Sequence, residues 1–240
     1  MANVFLKRLK AILMAGIDIL IPPACLVCHT RLGAAQKSLC PQCESQISFV
    51  KENFCYKCGS ELTEGYCETC HQTEFKFELS RSSMHYQTPL TELMHLLKYS
   101  GYRSPAAFMA EKMAESLKEY PEFEDYPYIT AVPLHRVRRR ERGYNQSELI
   151  AKKLAKLCGK TYIRPVLRSR YTLSQTTLHR TERLSNLAGA FRVRRGNQVQ
   201  GKKLILVDDV FTTGSTLNEI SGELYKAGAV SVAGFTATRA

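Results

Sequence analysis

The chain has 240 residues, 44% of them hydrophobic and 23% charged, with 34 Lys and Arg against 22 Asp and Glu and a formal net charge of +12. That balance excludes a disordered, collagenous or low-complexity chain and fits a large globular domain or a medium one joined to a small one. The basicity is local, since residues 136–195 hold 17 Lys and Arg against only Glu141, Glu148 and Glu182, and this points to an anionic partner there, either phosphates or nucleic acid.

In chain order, Lys7, Arg8 and Lys10 precede an apolar stretch, Ala11 to Ile21. The stretch mimics a secretory signal, but Asp18 interrupts it and it is too short to span a bilayer. It reads as an amphipathic helix over Asn3 to Leu20, within a segment 1–22. Packing on the protein body and contact with a membrane or partner both stay open.

Eight of the nine cysteines then form four Cys-x-x-Cys pairs: Cys25 and Cys28, Cys40 and Cys43, Cys55 and Cys58, Cys67 and Cys70. Each pair puts two thiolates on one tight turn, two vertices of a tetrahedron. Eight thiolates suffice for two structural zinc ions. The simple pairing is 25/28/40/43 with 55/58/67/70, and spacing leaves a cross-braced pairing open. Gly59 supplies the positive φ that the turn after Cys58 needs. His29 and His71 read as bystanders, and Cys158 as core packing. Zinc as a staple and a zinc ribbon contacting nucleic acid are both consistent with the spacing.

Residues 71–80 read as a linker. A strand is expected over Ser80 to Gln87, a helix from Pro89 through Tyr99, a second from Ser104 to about Tyr120, and a loop over Pro121 to Pro127. Tyr128 to Pro133 is an apolar strand ending in Pro133-Leu134-His135. Arg136, Arg138, Arg139, Arg140 and Arg142 follow, then a helix of residues 148–157 capped by Asn145 or Ser147. A strand end, a turn and clustered arginines can hold a pyrophosphate; a solvated basic loop or a nucleic-acid backbone contact is the alternative. A third strand is expected over Thr161 to Leu167. The polar stretch Arg168 to Ala190 is long enough for a mobile, arginine-bearing lid.

The most specific stretch is residues 202–216. Leu204 to Val207 is an apolar run suited to a strand buried on both faces. Asp208 and Asp209 stand where it ends, and Thr212, Thr213, Gly214, Ser215 and Thr216 lead into a helix from Leu217. A glycine-bearing turn between strand and helix aims several N–H groups at one point, where the helix adds partial positive charge. That is a cradle for one phosphate. The adjacent carboxylates can accept from vicinal sugar hydroxyls or act on Mg²⁺. The pair asks for a ribose 5-phosphate. The last strand is expected over Ser231 to Thr238.

This stretch resembles the phosphoribosyl pyrophosphate (PRPP) motif of type I phosphoribosyltransferases. More widely, Asp18-Ile-Leu-Ile-Pro-Pro-x-Cys-x-x-Cys, Leu97-Lys98-Tyr99, Val132-Pro133-Leu134-His135, Arg142-Gly143-Tyr144-Asn145-Gln146, Gln175-Thr176 with Arg180 and Arg183, and Asn186-Leu-Ala-Gly-Ala-Phe resemble the ComF family of bacterial competence proteins. The resemblance implies an α/β type I phosphoribosyltransferase fold, a parallel sheet flanked by helices, over residues 80–240 behind a zinc-ribbon domain at 23–75. It implies a cytoplasmic role, at the inner face of the membrane if the first helix docks there, in taking up single-stranded DNA with a competence helicase or translocase. By that analogy Thr212 to Thr216 hold the 5-phosphate and Asp208 and Asp209 the ribose hydroxyls. Val132 to His135 would form the pyrophosphate loop, with Mg²⁺ bound to PRPP, and Arg168 and Arg180 would be catalytic on the lid. The five arginines of residues 136–142 would meet nucleic acid. One departure stands out: only a strand follows the PRPP helix here, so no C-terminal hood is expected to recognise an acceptor base. An acceptor pocket must come from the zinc segment or residues 80–120. A non-catalytic zinc-ribbon adaptor for single-stranded DNA and a nucleotide-salvage transferase are the alternatives.

Overall fold

The computed structural model describes residues 22–33, 36, 38–51, 54–170, 189–194 and 198–240. The expected N-terminal helix, and Gln175, Thr176, Arg180, Arg183 and Asn186 of the expected lid, lie outside those residues.

Five parallel strands form the centre: β1 (Ser80–His85), β2 (Tyr128–Ala131), β3 (Thr161–Tyr162), β6 (Lys203–Phe211) and β7 (Ser231–Arg239). Their order is β1-β7-β6-β2-β3, so β6 lies in the middle. Its side chains alternate between two cores: Ile205 and Val207 join one, Leu204 and Leu206 the other. Both faces are covered, which is why the run is continuously apolar. The first core takes in α3 (Leu90–Tyr99), α4 (Ser104–Leu117) and α6 (Gln146–Leu157); the second takes in α7 (Ser215–Lys226).

The cysteine segment is not a separate bead. Cys25, Cys40 and Cys43 are buried in the first core, and Cys58 in the second. Short helices α1 (Pro41–Glu44) and α2 (Glu68–Gln72) hold the second thiol pair of each set, with Cys40 and Cys67 as their caps and Cys43 and Cys70 within them. Residues 48–50 run antiparallel along the free edge of β1, with Val50 N–H on Ser83 O at 3.1 Å and His85 N–H on Ser48 O at 2.9 Å. An exposed parallel-sheet edge is thereby covered. The expected linker is a packed segment too, with Phe75, Phe77 and Leu79 all buried.

Other boundaries moved for physical reasons. The single strand expected over Thr161 to Leu167 is two: Pro165 lacks the N–H that would continue the ladder. After it, β4 (Val166–Arg168) leaves the main sheet and pairs antiparallel with β5 (Phe191–Val193). The arginine run is a helix, α5 (Arg136–Arg142), not a loop; the His135 ring accepts from Val137 N–H at its start and Gly143, at φ +77°, ends it. Pro121 to Phe123 form a turn of 3₁₀ helix within the expected loop.

Candidate functional site

The eight paired cysteines make two clusters, Cys25, Cys28, Cys40 and Cys43, and Cys55, Cys58, Cys67 and Cys70, each with its sulfurs within 4.8 Å of one another. Sulfur pairs stand 3.5 Å apart at Cys28–Cys40 and Cys58–Cys67, and 3.6 Å at Cys55–Cys70. A tetrahedral ion with bonds of about 2.3 Å has edges of about 3.8 Å, so both sets fit a four-thiolate zinc site. The cross-braced pairing is thus excluded, and neither His29 nor His71 joins a cluster. N–H groups of Cys43, Ser60 and Cys70 point at sulfurs of Cys40, Cys58 and Cys67. Gly59 has the expected positive φ, +68°, and a Cβ there would stand 2.6 Å from Ser80 O.

The second feature is a cleft of about 430 Å³ beyond the C-terminal ends of β2 and β6. In open parallel sheets this is where ligands sit. Its walls join segments far apart in sequence. The turn after β2 supplies Val132, Pro133, Leu134 and His135; β6 itself supplies Asp208 and Asp209, and the turn after it Thr212, Gly214, Ser215 and Thr216; and Arg168 enters from β4. Thr213 is not on the wall; its hydroxyl meets that of Ser215 at 2.9 Å. Gly214, at φ +74°, precedes α7. Among the described residues no backbone carbonyl accepts from the N–H groups of Thr212, Thr213, Gly214 or Thr216. Unspent donors at the start of a twelve-residue helix are an anion site.

The acids differ from the expected pair. The β6 ladder runs past both to Phe211, so they lie within the strand rather than at its end. They are also not bare. Asp209 is buried, with Oδ2 2.9 Å from Lys98 Nζ and 3.3 Å from Gln146 Nε2. Asp208 Oδ1 accepts from Ser147 Oγ at 2.8 Å and from Asp209 N–H at 2.9 Å. Two adjacent carboxylates in a cleft need such compensation. Burial opposes ionisation of Asp209, but the Lys98 ammonium outweighs it and holds the group below its ordinary value. Asp208 has no cation so close. Burial, with the neighbouring Asp209 charge, pushes it up to about 8.

The five arginines divide. Arg138 and Arg142 line the cleft, and Arg142 also lies over the Tyr99 ring, 5.5 Å from its centroid. Arg139 pairs with Glu148 at 3.3 Å. Arg136 and Arg140 are one helical turn apart and exposed. Arg180 lies outside the described residues.

Several wall residues have a role in the cleft that the sequence does not assign them. Lys98, Gln146 and Ser147 hold the acids, and Asn145 is not the expected side-chain cap: its Nδ2 donates to Val132 O at 2.9 Å, fixing the first turn. Tyr86 and Tyr99 form a wall as well, so among the described residues it is the residue 80–120 region and not the cysteine segment that borders the cleft. The motif strings Leu97-Lys98-Tyr99 and Asn145-Gln146 were the available signal; no periodicity could say that they face Asp208 and Asp209.

Comparison with known proteins agrees with this architecture. A family model described as a double zinc ribbon domain matches residues 16–73. DNA utilization protein YhgH of Salmonella typhi is 34% identical over 170 residues, 69% of this chain and 74% of that protein. Competence protein F of Haemophilus influenzae is 30% identical over 210 residues, 85% and 91% of the two chains. Among solved structures, a glutamine PRPP amidotransferase from B. subtilis is 19% identical, covers 60% of this chain and 30% of its own, and has a TM-score of 0.41, too slight a likeness to argue from. The relatives settle the family: the chain belongs to the ComF family, with competence protein F and DNA utilization protein YhgH.

Proposed function

We propose that this chain binds PRPP in the cleft and serves the handling of single-stranded DNA during competence. The observation that carries the reading is one cleft joining an unspent helix N-terminus, an acid pair and an arginine-flanked turn. The 5-phosphate takes the unspent N–H groups of the turn that leads into α7. The ribose hydroxyls take Asp208, the less tightly held acid. The pyrophosphate, carrying Mg²⁺, lies against residues 132–135 with Arg138, Arg142 and Arg168 supplying positive charge. Lys98 and Val210 N–H take the two oxygens of Asp209, so Mg²⁺ enters on the ligand rather than on that acid. Should transfer occur, the arginines steady the departing pyrophosphate, and a planar acceptor would lie against Tyr86 and Tyr99. The names of the relatives, competence and DNA utilization, support the DNA role.

Calorimetry with PRPP and Mg²⁺ on the wild type and on the Asp208→Asn/Asp209→Asn variant tests the site. Binding by the wild type that the variant loses supports the reading; heat from neither ends it. A second reading, a DNA adaptor without catalysis, is favoured by Arg136 and Arg140, which face solvent away from the cleft. Release of pyrophosphate in the presence of candidate bases separates the two.

A further inference from the structure

The C-terminal end of β7 links two features that the sequence keeps far apart. Arg239 donates through Nη1 to Cys58 O at 3.1 Å and through Nη2 to Ser60 Oγ, both on the turn of the second cysteine cluster. Its guanidinium also lies over the Phe211 ring, 4.3 Å from the centroid. Phe211 in turn abuts Gly214: a Cβ added there would stand 2.8 Å from Phe211 Cζ and 2.8 Å from Phe75 Cε1. Gly214 is the residue from which α7 starts, and its carbonyl accepts from Asn218 N–H at 2.8 Å. The same helical turn is held from the other side, where Asn218 Oδ1 accepts from Lys76 N–H at 2.7 Å. The chain of contact is continuous: cysteine turn, Arg239, Phe211 ring, Gly214, first turn of α7.

A planar guanidinium suits this post because it can donate in its plane and stack on its face at once. Among the described residues no backbone carbonyl fixes the N–H groups of Thr212, Thr213, Gly214 or Thr216, and Ser215 N–H reaches only the Thr213 hydroxyl, at 3.5 Å. Their direction is set by what presses on Gly214 from below. We propose that Arg239 is a positioning residue, which makes the aim of the residue 212–216 turn depend on an intact second cysteine cluster. Its purpose rests on the reading of that turn as the phosphate site; the mechanical link does not.

Amide hydrogen exchange on the full zinc-loaded chain tests the link without any ligand. In Arg239→Met, exchange at Asn218 should quicken about tenfold while the β6 amides of residues 204–207 keep wild-type rates, a local rather than global opening. Ser60→Ala, a milder change that removes one acceptor, should move Asn218 the same way by less. Cys67→Ser, which breaks the second cluster, should reproduce the Arg239→Met effect. Wild-type exchange at Asn218 in both Arg239→Met and Ser60→Ala, or quickening only in step with β6, overturns the proposal. If Arg239→Met does not fold, Ser60→Ala decides alone. PRPP calorimetry then separates the two ideas. A wild type that binds no PRPP ends the phosphate reading and leaves the exchange result to decide the link. A wild type that binds, with Arg239→Met binding equally well, ends the positioning role.

Discussion

Asp208 and Asp209 are adjacent in sequence yet titrate in opposite directions. The folded Asp208 value, about 8, lies above its ordinary 3.8. The native state therefore holds a proton there that the unfolded chain has released. Stability from this group is complete below about pH 4 and is lost as pH rises toward 8. Asp209, held low by Lys98, acts in the opposite sense, and its contribution is lost only as pH falls below the ordinary carboxylate range. Asp208→Asn should accordingly flatten the decline in unfolding midpoint between about pH 4 and 8, as read by urea titration at several pH values. Lys98→Met should cost about 3 kcal/mol, because it strands a buried carboxylate, and adding Asp209→Asn should restore most of it. A double-mutant cycle in urea gives that coupling directly. If the two changes prove additive, the ion pair does not hold the acid.

Gly214 shows how an element boundary carries function. Its φ of +74° and the two phenyl rings against it leave no space for a side chain. Gly214→Ala should destabilise the protein by about 2 kcal/mol, combining left-handed strain with overpacking, and should abolish PRPP binding. Thermal unfolding and calorimetry on the same sample check both. The arginine helix is the other case. Its exposed pair, Arg136 and Arg140, would meet the nucleic-acid backbone in the proposed DNA role, whereas Arg138 and Arg142 line the cleft. Replacing both exposed residues by Gln should lower the slope of log affinity for single-stranded DNA against log salt by about 1.4, from a single-strand slope of about 0.7 per charge. An unchanged slope would remove them from the interface.

At the scale of the molecule, the two cysteine clusters belong to the cores on opposite faces of one sheet. Arg81, buried, ties this assembly further: it donates to Tyr56 O at 2.6 Å and pairs with Glu122 at 2.7 Å. Metal loss should then be felt by the whole chain, not by a detachable ribbon. A strong chelator should release two zinc ions per chain, one from each cluster, and lower the temperature of sheet unfolding as well. Retention of the sheet transition at its original temperature would show that the ribbons unfold alone. Among the described residues no helix is long and apolar enough to cross a membrane.

The cysteine spacing alone named the ligands, because two thiolates on a tight turn are a local geometry. The apolar run at 204–207 and the glycine turn after it announced a buried strand leading into a helix start, again from local physics. What the chain could not announce was anything decided by packing at a distance. The choice between simple and cross-braced clusters, the departure of β4 from the main sheet to pair with β5, and the helix under the arginines all required neighbours. So did the partners of the acids: Lys98 lies more than a hundred residues before Asp209, and only the stacking of α3 and α6 against β6 brings its ammonium to 2.9 Å. Local rules fix which groups can do the chemistry; burial and long-range contact fix which of them are free to do it.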